Sequence, residues 1–397
     1  MYLLLCLLVW IVEAKPQFKI FNVKDYNARA DGNTDNSVAF LKAWSDACNW
    51  NGKATVLIPE GTYTLKTVIF KGPCKGPMTF EIKGILKAPI DPSSLSDQQW
   101  INFMYVNQLS VIGGGTLNGQ GAATRKLCNN HSNCQFLFTT MVFNFVTNGY
   151  IQNVHSVDSK GGHFIVFGCQ NMTFTDVTIS APVESHNTDG IKISQTYGTN
   201  ITNVSIGTGD DCVAMISGTR NVRISNVVCG PGHGISVGSL GKNEGEEGVY
   251  DIVVKNCTLN GTSDGLRIKT WGVPLKKTLY VSDFLFEDII INNVQHPINI
   301  DQAYCPGHDC DTKVASDVQI SNVTYRNVRG SGSGDIAVNI NCSKDWPCQK
   351  ITLEDINLQP YGGKGKLTNF CSHVNGASHG KQIPPSCVPH PTYILSK

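Results

Sequence analysis

The chain lacks any imbalance of charge: across 397 residues, 32 Lys and Arg stand against 31 Asp and Glu, a formal net charge of +1. No long-range field therefore points to nucleic acid or to an anionic membrane, and any recognition of an anion must be local. No C-x2-C pair occurs, which removes the ligand spacing of a zinc ribbon, and neither a metal nor an organic cofactor is expected. Past the N-terminus no apolar run is long enough to cross a bilayer. The run from Tyr2 to Val12 is also short for a span and ends in Val12-Glu13-Ala14 before Lys15, a small-residue cleavage pattern. Residues 1–14 thus read as a secretory signal peptide, and 15–397 as one extracellular domain, with no membrane attachment after cleavage.

What is present fits that compartment. Of fifteen Cys, Cys6 leaves with the signal, and an even number remains. Cys212 and Cys229, Cys305 and Cys310, Cys342 and Cys348, and Cys371 and Cys387 lie close enough in sequence to be bridge candidates. Cys169 and Cys257 fall inside apolar strand-like runs and read as buried thiols. Glycosylation sequons begin at Asn130, Asn171, Asn200, Asn203, Asn256, Asn260, Asn322 and Asn341.

An alternating pattern of apolar residues around an Asn or Asp recurs through the chain. Its anchors, Asn153, Asp176, Asn203, Asn226, Asn256, Asp288, Asn322 and Asp355, are 23, 27, 23, 30, 32, 34 and 33 positions apart. Period-two alternation argues for strands, and the short polar gaps leave no room for crossover helices. Coils of this length built from short strands are a β-solenoid repeat, here all-β and parallel, with an interior expected to stack Ile, Val, Leu and Asn. A β-sandwich is the blander alternative, but hairpin turn signals are not consistently present. Solenoid ends need caps. Val38, Leu41, Trp44 and Cys48 at near-helical spacing predict a short N-terminal capping helix, and the Gly- and Pro-rich stretch from about 362 to 397 predicts a C-terminal capping tail.

A second strand family, led by Ile191, Val213, Ile235 and Leu266, aligns Asp189, Asp211, His233 and Asp264 in one column, and Lys192, Ala214, Ser236 and Arg267 in another. Successive coils stack about 4.8 Å apart, so a column is a set of neighbours. Asp189, Asp211 and Asp210 beside it would then crowd three carboxyls together, raising the pKa of at least one. Acid and base at one pH are what glycoside hydrolysis requires. Asp189 and Asp211 share parity with interior residues, so they are expected on the turn before each strand, where neighbouring glycines permit irregular backbone. Each residue alone has an ordinary explanation: a turn Asp, a solvent-facing His, a solvated Arg-Lys face. Their coincidence in adjacent columns argues against all of those explanations holding together.

These residues also form motifs. Asn187-Thr188-Asp189-Gly190, Gly209-Asp210-Asp211-Cys212, Pro231-Gly232-His233-Gly234-Ile235-Ser236 and Arg267-Ile268-Lys269-Thr270 resemble, intact and in order, the four signatures of the polygalacturonases, glycoside hydrolase family 28. Cys229 to Gly241 and Ile300 to Pro306 look most like the pollen-type plant exopolygalacturonases. The resemblance runs from Phe21 to about Leu358 and implies a right-handed parallel β-helix that hydrolyses α-1,4-galacturonosyl linkages of pectin with inversion. By the same resemblance Asp210 is the general acid, Asp189 and Asp211 hold and deprotonate water, and His233 tunes the acid. Arg267, Lys269, Tyr304 and Asn187 fall on the substrate, with the two cations facing its carboxylates. Inversion places Asp210 about 6.5 to 9.5 Å from Asp189 or Asp211. A monomeric cell-wall enzyme acting on polygalacturonate, from the non-reducing end, is the expectation. Endo cleavage, a Ca²⁺-dependent pectate lyase and a catalytically silent cell-wall β-helix are the alternatives. Met215 and Ile216 are bulky where many relatives carry smaller residues.

Overall fold

The computed structural model describes residues 18–95, 98–128, 138–307, 310, 314–363 and 365–388. The signal-peptide reading and the sequon at Asn130 lie outside the described residues.

The chain winds into a right-handed parallel β-helix with two sheet systems, a 22-stranded and an 11-stranded one. Its strands pair in parallel, one coil with the next. Antiparallel hairpins, the mark of a sandwich, do not occur among these ladders. The smaller sheet carries the second strand family. Its inward residues form continuous columns, one running Phe70, Phe103, Phe143, Val166, Ile193, Met215, Val237, Ile268 and Ile300. Met215 is wholly buried within it, so the bulky residue fills the interior rather than the outer face.

The Asn and Asp anchors differ from expectation. All eight have left-handed backbone, with φ between 50° and 57°, and none is buried. They turn the corners of the coil instead of stacking inside, between strands in the earlier coils and within the long strands Leu279–Val294, Val318–Gly332 and Cys348–Pro360 for Asp288, Asn322 and Asp355. Asn is the side-chain-bearing residue that tolerates this conformation best. Asn226 donates to Asn203 at 3.3 Å, so the ladder exists but on the outside of the coil.

The capping helix spans Ser37–Cys48, with Phe40, Ala43, Trp44 and Ala47 on its buried face. Val38 and Leu41 are exposed, contrary to the expected face. The spacing is helical either way, and the aromatic pair decides the orientation: Trp44 packs 5.1 Å from Phe70 and 5.5 Å from Phe103, ring centre to ring centre. At the other end, Thr368–Ser372 and Val374–Ile383 extend both sheets by a further coil, so the segment read as a tail is largely strand.

The four bridges between Cys212 and Cys229, Cys305 and Cys310, Cys342 and Cys348, and Cys371 and Cys387 all form. Cys48–Cys74 forms as well, pinning the cap to the first coils, a pair too distant in sequence to stand out. Cys169 and Cys257 are buried free thiols. Of the described sequon residues all are exposed except Asn341, which is half-buried. Among the described residues no helix is long and apolar enough to cross a membrane.

Candidate active site

The register of the smaller sheet matches the sequence columns residue for residue: Lys192 pairs with Ala214, Ala214 with Ser236, and Ser236 with Arg267. Asp189, Asp210, Asp211 and His233 sit on the turns before these strands, where period-two parity no longer constrains them. Gly190 makes one turn possible: a Cβ there would meet the Cys212 carbonyl oxygen at 2.5 Å. Gly234, at φ +82°, makes another, because a Cβ would meet the Asp264 carbonyl oxygen at 2.2 Å. The buried Thr188 hydroxyl donates to the Ser185 carbonyl at 2.6 Å and accepts from the Gly209 N–H at 2.9 Å, locking the turns of Asp189 and Asp210 together. The Cys212–Cys229 disulfide fastens the turn of Asp211 to the strand that leads into His233.

Asp211 is the electrostatic hub. It is buried; one oxygen accepts from Ser236 Oγ and Arg267 Nη2, the other from Lys269 Nζ, each at 2.7 Å. Arg267 also donates from Nη1 to Asp264 at 2.9 Å and from Nε to Ser236 at 3.1 Å, so each nitrogen of its fork is engaged. Both cations, expected to face substrate carboxylates, lie against Asp211. Tyr304 closes this side, its ring 5.3 Å from that of Trp271, edge to face, with Lys269 Nζ 5.3 Å from the Tyr304 ring centre.

Asp210 faces a different partner. Its Oδ1 lies 3.0 Å from His233 Nδ1 and also accepts the Asp211 N–H at 2.7 Å. Burial opposes ionisation of Asp210, but the hydrogen bond and charge of His233, the Asp211 N–H and Lys269 outweigh it and hold the carboxyl at about 2. His233 is raised in turn, first by its bond to Asp210, against the opposing effect of burial. Asp189 moves the other way: burial pushes its pKa up, Lys192 at 2.7 Å pulls it down, and Asp210 and Asp211 add to the rise. Three carboxyls of one cluster therefore hold three different environments.

One donor atom each from Asp210, Asp211 and His233 lie within 4.8 Å of one another. Two of these donors are carboxylates, but the Asp211 oxygens already receive two cations, which makes the trio a poor match for a hard divalent ion. The same figure brings Asp210 and Asp211 closer than the expected spacing of acid and base. Asn187, exposed and left-handed at φ 60°, lines a cavity with Asp189. Lys192, Ser236, Asp264 and Thr188 carry contacts that no sequence reading assigned to the site; the column alignment held the first three, but parity gave them no role.

A model of the glycosyl hydrolases family 28 matches residues 48–382. An exopolygalacturonase of Platanus acerifolia is 42% identical over 92% of this chain and 97% of its own length. A polygalacturonase of Gossypium barbadense is 43% identical over 96% of this chain and 94% of its own. Among solved structures, an endo-xylogalacturonan hydrolase from Aspergillus tubingensis shares the fold with a TM-score of 0.76 at 22% identity, covering 91% of this chain and 100% of that one. The geometry of the turns and these matches across nearly the whole length converge: the chain belongs to glycosyl hydrolase family 28.

Proposed function

We propose that the protein is a secreted, cell-wall polygalacturonase that removes single galacturonate units from the non-reducing end of pectic chains, with inversion. The observation that carries the hydrolytic reading is the Asp210–His233 pair beside two further buried carboxyls. Between the low pKa of Asp210 and the raised one of His233 the pair holds one proton, which either partner can carry. A polyanionic substrate in the cleft favours its residence on the carboxyl, from which it passes to the glycosidic oxygen as the C1–O bond breaks. Water attacks C1 from the opposite face and gives its proton to a carboxylate. Asp189, made more basic by burial, suits this better than Asp211, whose charge is taken by Arg267 and Lys269. An Asp211 oxygen also stands within 4.8 Å of an Asp210 oxygen, nearer than the inverting spacing of about 6.5 to 9.5 Å, which disfavours Asp211 as the base.

The exo reading is supported by where the cleft floor ends. On the strands Gln99–Met104 and Thr139–Asn144 before the site, several outward-facing residues are covered: Asn102 is 2%, Thr140 2%, Val142 1% and Asn144 8% exposed, although Phe167 on the coil between them and Lys192 stays open. Lys192, on the coil of Asp189, keeps 37% of its side chain exposed. The sugar attacked by water would lie on the Asp189 side, where the floor stops, and the leaving chain on the side of Arg267, Lys269 and Tyr304. A sugar with no room behind it is the non-reducing terminus. Chromatography of early digests of polygalacturonate should give monomer alone, as the β-anomer by proton NMR. Mixed oligomers would overturn the exo mode, and an α-anomer would overturn inversion.

A further inference from the structure

Arg267 and Lys269 lie against Asp211 on the side given above to the leaving chain, so on the closed side of the cleft the carboxylate of the terminal sugar needs a partner of its own. A cavity of about 200 Å³ is found there, lined by Thr139, Gly162, Ile165, Asn187, Asp189 and Lys192. It lies below the roughly 300 Å³ at which pockets for drug-sized ligands begin, which suits one sugar ring rather than several. Among the described residues of that lining Lys192 is the only cation and Asp189 the only anion. Register makes the placement firm: Lys192 is one of the two outward residues of Ile191–Ser194, paired with Ile165 on one side and Ala214 on the other. Ala214 offers no competing polar group. The ammonium has three donors, and one goes to Asp189 Oδ2 at 2.7 Å. The remaining two are available to a ligand, since the side chain keeps 37% exposure and lines the cavity with Thr139 and Asn187, which can serve hydroxyls.

We propose that Lys192 is the specificity-determining residue of this pocket, binding the C6 carboxylate of the non-reducing terminal uronate while it holds Asp189 in place. This rests on the exopolygalacturonase reading above. It makes the enzyme selective for a free acid at the chain end: a terminal residue whose carboxyl is esterified or reduced leaves the ammonium without its second partner and forfeits a charge-assisted bond.

The test compares trigalacturonate with the same trisaccharide methyl-esterified on its terminal non-reducing residue, using wild type, Lys192→Gln and Lys192→Arg. Wild type should prefer the free acid by about tenfold or more in kcat/KM, chiefly through KM, the range expected for one charge-assisted hydrogen bond. Lys192→Gln should lose that preference and Lys192→Arg should keep most of it. If Lys192→Gln still discriminates as wild type does, the proposal fails, even if kcat drops because Asp189 has lost its partner. Equal rates on both substrates with wild type also sink it. No turnover of either substrate by wild type would instead overturn the parent reading. Lys192 is partly exposed, and thermal melting establishes that the variants fold.

Discussion

Replacing His233 by Gln isolates the proton-holding pair, because Gln can still donate to Asp210 Oδ1 but cannot carry charge. The carboxyl of Asp210 lies at about 2 against an ordinary 3.8, and one unit corresponds to about 1.4 kcal/mol, so its surroundings, with the opposing burial penalty included, are worth a net of roughly 2 kcal/mol, with His233 the leading favourable source. The half-exposed imidazole calls for a discount towards the lower end. The sign follows from each partner. A depressed carboxyl contributes stability that is present above its unfolded value, about 3.9, and lost as pH falls through about 2. A raised imidazole contributes stability that is full below about 6.5 and lost as pH rises through its higher folded value. The pair therefore stabilises most between about pH 4 and 6.5. His233→Gln should lower the melting temperature by a few degrees at most in that window, and by progressively less towards pH 9. In kinetics, the alkaline limb of kcat/KM should move down by well over a unit, because Asp210 alone must then keep the proton. The acid limb, set by Asp189 above the ordinary Asp range, should stay. A melting-temperature difference constant across pH, or an alkaline limb that does not move, would refute the coupling of the two groups.

Asp211→Asn leaves Arg267 with one anionic partner and Lys269 with none while both stay buried, and should destabilise the fold by about 3 to 5 kcal/mol in urea titrations; a loss under 1 kcal/mol would show that the cations relax into solvent. Asp210→Asn should instead leave the melting midpoint within a few degrees and remove turnover of polygalacturonate by a factor of about 10² to 10⁴ in reducing-sugar assays. At the corner residue Asn226, φ 54°, Ala should cost about 1 kcal/mol and Gly close to nothing, in the same titrations, since Gly adopts left-handed backbone freely.

How much of this was legible in the chain depends on which physics each feature uses. Period-two alternation survives folding unchanged, so the coil, its parallel register and the columns of Asp189, Lys192 and Arg267 could be aligned before any coordinate was known. The four short-range disulfides were legible for a similar reason: spacing within one coil brings the partners together. Cys48–Cys74 was not, because it joins a helix to a later loop, and no periodicity links them. The anchors misled because Asn was read by what its amide can stack on. The backbone decides instead, and left-handed corners select Asn and Asp for conformation, with the side-chain ladder following outside. Val38 and Leu41 misled because helical spacing fixes a stripe but not which stripe; Phe40 and Trp44, larger and able to reach Phe80 and Phe70, win the core.

The deepest gap concerns charge. Sequence can count cations near carboxylates, yet it cannot say which pairs close on each other and which stay free for substrate. Arg267 and Lys269 have side chains long enough to reach back two coils to Asp211, and burial leaves them no solvent to compete for the bond. Lys192 starts from an equivalent outward position but beside the small Ala214 and at the lip of a cavity, so it meets Asp189 and still faces outward. If Lys192 binds substrate as proposed, one residue type serves as internal counter-ion at Lys269 and as ligand at Lys192, according to how deeply each is buried. In a β-helix the neighbour of an outward residue is the residue one repeat away, so recognition along the cleft is written in the outward column rather than in the motifs that carry the acid and the base.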